Sequence, residues 1–230
     1  MSLLHRLSLL QKFLILGTVW LLMSLLYRLR VRGVEQVPDE GAALVVCNHV
    51  SYMDALILSA SIPRPVRFVM YYRIFNIPVM RWIFKTAKAI PIAGARENPE
   101  LMQRAFDEVD AVLAEGELVC IFPEGALTKD GNIAPFKSGV EKILQRRPVP
   151  VIPMALRGMW SSMWSRRDGR LGRMRVPRRF RAHDEKLLRA QYLVYDDDGA
   201  VIQTARDAIS DLERLFEADA SGDGTPPGAR

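Results

Sequence analysis

The chain has 230 residues, of which 49% are hydrophobic, and its 32 Lys and Arg against 26 Asp and Glu give a net charge of +6. These figures suit one globular domain with an appendage and exclude a disordered, collagen-like or coiled-coil chain. The only two cysteines, Cys47 and Cys120, lie in apolar runs. We therefore expect buried thiols, no disulfide framework and a reducing, cytoplasmic setting.

The N-terminal segment is strongly apolar, because residues 13–27 carry no charge and arginines follow at 28, 30 and 32. This pattern predicts a membrane-associated helix within residues 1–32, which either spans the bilayer or lies in its interface. A helix buried against the rest of the chain is the alternative. No signal-peptide cleavage site follows, so we expect the segment to stay attached. The arginines favour an inner-membrane location with the following domain on the cytoplasmic side.

From residue 33 onward, short apolar runs alternate with helical stretches, which is typical of an α/β domain. We predict a mixed, largely parallel sheet flanked by helices. The predicted strands are 42–47, 67–70, 89–92, 118–122 and 149–156. The predicted helices are 55–60, one with Pro78 in its first turn, one from Asn98 to Gly116, 138–145 and 203–216. The predicted domain covers 33–218, and 219–230 form a disordered tail.

A basic run follows the predicted sheet, with eight arginines between Arg166 and Arg181. Such a run predicts a patch for an anionic partner, either a membrane surface, a polyphosphate cofactor or nucleic acid. A solvated loop without a partner is an equally good interpretation. The chain does not interleave aromatic with basic residues as single-strand readers do, so we expect no nucleic acid partner.

Polar residues directly follow the strand predicted at 42–47. Asn48 and His49 come first, and Asp54 follows in the first turn of the next helix. If His49 lies in the strand-to-helix turn, Asp54 would accept its Nδ1 proton and leave Nε2 as a free base. The alternative is that these side chains only satisfy the backbone groups of the turn and of the helix start.

A second polar cluster, Phe122-Pro123-Glu124-Gly125, directly follows the strand predicted at 118–122. Parallel strands carry their functional groups at their carboxyl ends, so both clusters would face one crevice. Glu124 would then reach a bound hydroxyl or a phosphate-bearing ligand. The alternative is an ordinary turn, for which this composition is common.

These residues together resemble the glycerolipid acyltransferases of the lysophosphatidic acid acyltransferase type. The first motif of that family is Asn-His with Asp five residues after the His, which Asn48, His49 and Asp54 match. The third motif, Phe-Pro-Glu-Gly, is matched by 122–125, and the proline-bracketed strand of the fourth is similar to 149–153. The resemblance covers about 33–160 and is closest to acyltransferase domains fused to bacterial transporter-like membrane proteins.

The resemblance implies that His49 is a general base that deprotonates the glycerol hydroxyl of a lysophospholipid, with Asp54 orienting it. The donor would be acyl-CoA or acyl-carrier protein, with no cofactor and no metal. The simplest acceptor is 1-acyl-glycerol-3-phosphate, which would give phosphatidic acid. The residues that would contact the acceptor are those of the motifs and two cations: Asn48, Phe122, Pro123, Glu124, Gly125, Arg96 and Lys137.

The sequence departs from the family pattern at two places. An arginine is common two residues after the glycine of the third motif, where this chain has Leu127. The arginine of the second motif is only loosely matched by Arg96. Other cations would have to supply charge, the candidates being Lys129, Lys137, Arg67 and Arg73. Two alternatives therefore stay open: another acceptor such as lysophosphatidylethanolamine, and a non-catalytic module that binds anionic membranes.

Overall fold

The structure is a computed structural model, and it describes residues 17–18, 20–23, 25, 27, 29–161, 165–166 and 186–190. The helix predicted at 203–216, the tail predicted at 219–230 and most of the arginine run lie outside the described residues. The predicted domain boundaries therefore stay predictions.

Within these ranges, seven strands form one sheet, in the order β1-β7-β6-β2-β5-β3-β4. Neighbouring strands run parallel everywhere except between β6 and β7. This confirms the predicted mixed, largely parallel sheet, and it places β2 in the middle with β5 and β6 on either side. The strands are β1 Leu29–Arg32, β2 Ala43–Cys47, β3 Val66–Tyr71, β4 Ile90–Ile92, β5 Leu118–Ile121, β6 Val151–Leu156 and β7 Lys186–Ala190.

The sequence pattern also predicts three of the helices that connect these strands to within two residues at each end, and the start of the other at Pro78. The third helix shows why its start is readable: Pro99 occupies the first turn, and the Asn98 side chain accepts a hydrogen bond from the Leu101 N–H at 2.9 Å. After its last turn the chain reverses at Gly116, whose φ is +77°. The helices are α1 Asp54–Ser61, α2 Pro78–Thr86, α3 Pro99–Ala114 and α4 Gly139–Arg146.

The core lies on both faces of the sheet, which explains why the central strands are continuous apolar runs. In β2, Leu44 and Val46 pack with residues of α3 and α4, whereas Val45 and Cys47 pack with residues of α1 on the opposite face. All five residues of β2 are buried. The predicted burial of both cysteines is confirmed as well.

The N-terminal residues pack on the α1 side of the sheet. Met23 and Tyr27 are buried in that cluster, while the neighbouring apolar side chains face outward. The exposed ones are Trp20, Leu21, Leu22 and Leu25. Within the described ranges, every helix is too short or too polar to pass through a bilayer.

Strand β1 is a feature that the sequence pattern does not predict, because residues 28–32 read as the basic end of the N-terminal helix. The structure instead pairs Leu29–Arg32 with β7 at the edge of the sheet. The physical reason lies in the two-residue alternation of leucine or valine with arginine, which is typical of a strand with one buried face. Leu29 and Val31 pack against the core on the α1 side.

Arg64 bonds with the loops that precede the central strands. These loops lie at the amino ends of the strands, whereas His49 lies at their carboxyl ends. Arg64 Nη1 donates to the carbonyl oxygens of Pro38 and Gly41, at 2.6 and 3.0 Å, and Nη2 donates to that of Gly116 at 3.1 Å. These bonds satisfy carbonyl groups just before β2 and β5. Arg64 therefore stabilises the fold from outside the site described next.

Candidate active site

The turn that follows β2, residues 48–54, is called the His49 turn below. Asn48 begins it and is buried. Its Oδ1 accepts from the Leu156 N–H at 2.7 Å, and its Nδ2 donates to the Leu156 carbonyl at 3.0 Å. The amide side chain thus continues the pairing of β2 with β6 by one residue and fixes where the His49 turn leaves the sheet.

His49 and Asp54 meet within this turn, as the sequence predicts for a histidine that precedes the helix. His49 Nδ1 lies 2.9 Å from Asp54 Oδ2. The same oxygen accepts the N–H groups of Val50 and Ser51 at 2.7 and 2.8 Å. Asp54 is fully buried at the start of α1, and its Oδ1 accepts no hydrogen bond from any described residue. A carboxylate beside Nδ1 favours the tautomer in which Nε2 is free to accept a proton.

Phe122 covers one face of the imidazole. The two rings are stacked, with centroids 4.1 Å apart and an interplanar angle of 17°. Phe68 stacks behind Phe122 at 6.5 Å, which joins this contact to the core. The His49 side chain remains 22% exposed, so a substrate has access to the ring while Nδ1 and one face are held.

Glu124 lies directly beneath the His49 turn. Its Oε1 accepts the His49 N–H at 2.7 Å, and its Oε2 accepts the Ala134 N–H at 2.8 Å. The Thr128 N–H in turn donates to the His49 carbonyl at 2.9 Å. Burial raises the pKa of the Glu124 carboxyl above its ordinary value. The two clusters that the sequence predicts at one edge of the sheet are therefore in direct contact.

Gly125 and Lys137 form a close contact beside this pair. Gly125 has a φ of +67°, and a Cβ built on it would meet Nζ of Lys137 and lie 2.9 Å from its Cε. The Lys137 N–H donates to the Pro123 carbonyl at 2.9 Å. The left-handed backbone favours glycine at this position, and a larger side chain would also displace the end of the Lys137 chain.

Of the other candidate cations, Arg67 and Arg73 already have partners, Arg96 lies in a different turn, and Lys129 is exposed in the loop after the third motif. Arg67 bonds with Glu117, and Arg73 bonds with Glu97. Arg96 is exposed in the turn after β4, and β4 is three strands away from β2, roughly 14 Å at ordinary strand spacing. The described contacts do not bring Arg96 to the His49 turn. Lys137 is the candidate that lies beside the third motif.

The loop of residues 128–134 contributes to the site beyond what the sequence predicts, since only Lys129 within it is a candidate and its contacts with the His49 turn are not predicted. Thr128 Oγ1 donates within the loop and also accepts the Gly131 N–H at 3.0 Å. A Cβ on Gly131 would lie 3.1 Å from three ring atoms of Trp160. Beyond this tryptophan, Ser165 forms an isolated antiparallel bridge with Ser51 of the His49 turn. The turn-forming composition of 128–132 predicts a loop. No feature of the sequence predicts that this loop packs against Trp160.

The fold and the site together define an α/β protein with a histidine–aspartate pair at the carboxyl ends of parallel strands. Across the part of the chain that the structure describes, no group of three His, Cys, Asp or Glu side chains could hold a metal ion. A family model described as Acyltransferase matches residues 28–157, more than half of the sequence. The chain belongs to this acyltransferase family. A second model, described as the potassium efflux system KefB C-terminal domain, matches residues 174–227.

Individual relatives agree with this assignment. A chloroplastic 1-acyl-sn-glycerol-3-phosphate acyltransferase of Brassica napus is 31% identical over 144 residues, 62% of this chain and 41% of that protein. A probable 1-acyl-sn-glycerol-3-phosphate acyltransferase of Mycoplasma pneumoniae is 31% identical over 150 residues, 63% of this chain and 54% of that protein. The chain thus spans about half the length of these curated relatives.

The crystal structure of the 1-acyl-sn-glycerophosphate (LPA) acyltransferase PlsC from Thermotoga maritima shares the fold. It aligns with a TM-score of 0.69 at 18% sequence identity and covers 93% of this chain and 88% of that one. The predicted α/β architecture is confirmed by this similarity.

Proposed function

We propose that this protein transfers a fatty acyl group from acyl-CoA or acyl-carrier protein to the free hydroxyl of a lysophospholipid. The observation that carries the proposal is the 2.9 Å contact between His49 Nδ1 and the buried Asp54 Oδ2, because it leaves Nε2 as a proton acceptor. The relatives named as 1-acyl-sn-glycerol-3-phosphate acyltransferases support 1-acyl-glycerol-3-phosphate as the acceptor and phosphatidic acid as the product.

In the proposed reaction, Nε2 of His49 accepts the proton of the acceptor hydroxyl while the hydroxyl oxygen attacks the thioester carbonyl carbon. The carbon–sulfur bond then breaks, and the thiolate leaves and takes the proton from the imidazolium. Asp54 stabilises the imidazolium while it exists, since its carboxylate faces Nδ1. A thioester is already an activated acyl donor. The hydroxyl is a weak nucleophile, and a positioned base strengthens it by removing its proton.

The acceptor is a lipid, so the reaction belongs at a membrane surface. The outward-facing apolar side chains of the N-terminal helix, with Trp20, Leu21, Leu22 and Leu25 about half exposed, support attachment to that surface. The helix packs on the domain through Met23, which would keep the site near the lipid. We place the domain on the cytoplasmic face of the inner membrane, as the arginines after the helix suggest.

The proposed function is tested with the purified full chain, offered acyl-CoA and, separately, acyl-carrier protein. Lysophosphatidate, lysophosphatidylethanolamine and an acceptor without phosphate compete in one pool, and mass spectrometry identifies the products. We expect phosphatidic acid as the main product. Acylated lysophosphatidylethanolamine alone would instead establish the alternative acceptor. If no acceptor is acylated, and binding to anionic vesicles persists after His49 and Asp54 are both replaced by alanine, the protein is a non-catalytic membrane-binding module.

Lys137 is the cation that we assign to the acceptor phosphate, whereas Arg96 is not assigned to it because the turn after β4 lies three strands away from β2. Replacing Lys137 with alanine is expected to raise the acceptor KM by about tenfold or more, because a charge-assisted hydrogen bond contributes roughly 1.5 to 3 kcal/mol. Initial rates across acceptor concentrations measure this change, and an unaltered KM would contradict the assignment.

Two further variants sharpen this test. Lys129→Ala removes an exposed lysine from the neighbouring loop and should leave the KM unchanged. Gly125→Ala should reproduce part of the Lys137→Ala effect, because the added Cβ displaces the lysine chain. The two changes combined should then cost less than the sum of their separate effects.

A further inference from the structure

Glu124 is a buried carboxylate in the site, and it takes no part in the reaction steps proposed above. The family resemblance assigns it to the acceptor. Its surroundings argue otherwise, because the residue is only 5% exposed and each oxygen already accepts a backbone N–H, one from His49 and one from Ala134.

We infer that Glu124 is a positioning residue, which holds the main chain of His49 so that Nε2 faces the acceptor hydroxyl, and that it does not itself contact the acceptor. The inference rests on the proposed function, since it presumes that His49 is the base. It adds a role in catalysis for a side chain that would touch neither substrate.

His49 is restrained at its backbone and at its side chain. Glu124 holds its N–H at 2.7 Å, and the Thr128 N–H holds its carbonyl at 2.9 Å. Asp54 holds Nδ1, and Phe122 covers one ring face. Backbone and side chain are thus each fixed from two directions, and a shift of the backbone would move the imidazole even with the Asp54 contact intact.

The charge of the acceptor also disfavours a direct contact with Glu124. The acceptor carries a negatively charged phosphate, and a carboxylate beside it would repel it. Lys137, whose chain crosses Gly125, is chemically suited to that phosphate. Within the third motif, Glu124 faces the His49 turn, and the lysine passes over the adjacent glycine.

Glu124 also connects two separate segments of the chain. Its Oε2 bond to the Ala134 N–H ties the end of the 128–134 loop to the same carboxylate that holds the His49 turn. Burial raises the pKa of Glu124, and the two N–H donors act against this rise by stabilising the charged carboxylate. Loss of the carboxylate would loosen both segments at once.

The test compares Glu124→Ala and Glu124→Gln with Arg64→Ala, using the full chain. We expect Glu124→Ala to lower kcat by about 10²-fold, since a misplacement of about 1 Å has that effect, while the acceptor KM stays within about twofold. Glutamine should be intermediate, because its single oxygen can accept one of the two N–H groups. Arg64→Ala removes three hydrogen bonds at the opposite edge of the sheet, so it should lower the unfolding midpoint and leave kcat unchanged.

A second readout needs no substrate. The imidazole NMR signals of His49, identified by their loss in His49→Gln, should shift in both Glu124 variants and stay in place in Arg64→Ala.

A large rise in KM at constant kcat would overturn the inference and make Glu124 an acceptor contact. Unshifted His49 signals in both Glu124 variants would overturn it too. If the wild-type protein acylates nothing, the proposed function fails, whereas the NMR comparison still judges the positioning role. Glu124→Gln carries the test if the alanine variant does not fold.

Discussion

Replacing His49 with alanine or glutamine is expected to lower kcat for acyl transfer by about 10²- to 10⁴-fold, the range that a general base contributes. Neither side chain can accept the hydroxyl proton and then deliver it to the leaving thiolate. The fold should survive the change, because the main-chain bonds of His49 to Glu124 and Thr128 do not depend on the side chain, although the stacking on Phe122 and the contact with Asp54 are lost.

The measurement pairs single-turnover rates with denaturant unfolding of the same preparations. His183→Gln provides a matched control, since this histidine has no role in the proposed reaction and should keep the full rate. Retention of the wild-type rate by His49→Ala would remove the base from the mechanism and, with it, the proposed chemistry.

Asp54→Asn is expected to reduce kcat by as much as about 10⁴-fold, the loss seen when the carboxylate of a histidine–aspartate pair becomes an amide. The amide oxygen can still accept the N–H groups of Val50 and Ser51, which Asp54 Oδ2 accepts now. It no longer carries the charge that fixes the tautomer of His49 and stabilises the imidazolium. The fold should therefore survive while the rate does not.

Asp54→Ala separates the two roles of this residue. It leaves the buried N–H groups of Val50 and Ser51 without their acceptor, at a cost of about 1 to 3 kcal/mol for each donor. We expect a clear loss of unfolding free energy in the alanine variant and a much smaller one in the asparagine variant, with similar losses of rate in both. A rate within about tenfold of wild type for Asp54→Asn would show that Asp54 only supports the start of α1.

The family resemblance and the local sequence pattern together predict which side chains form the site. They do not predict the hydrogen bonds that hold those side chains in position. His49 and Asp54 are recognisable because a turn between a buried strand and a helix brings residues five apart into contact, as the 2.9 Å distance shows. Glu124 is predicted at the right edge of the sheet. The hydrogen-bond partners of Glu124 are not predicted. They are the main-chain N–H groups of His49 and Ala134, and a main-chain group is the same whichever residue carries it.

Other contacts join residues that are distant in sequence. The Asn48 amide pairs with Leu156, 108 residues away. Glu97 bonds with Arg73 across 24 residues and so takes up a cation that the sequence leaves as a candidate for the acceptor. No periodicity encodes such pairs, because they depend on which strands become neighbours and in what register.

The amino-acid sequence therefore determines the parts of this protein that arise within a few residues: the apolar strands, the start of α3 at Asn98 and Pro99, and the meeting of His49 with Asp54. These features depend on backbone preferences and on burial, which act locally. The tertiary structure is required for the pairing of β1 with β7, for the stacking of Phe122 on His49, and for the bonds of Glu124. Each of these contacts exists only after the sheet has assembled and brought distant segments together.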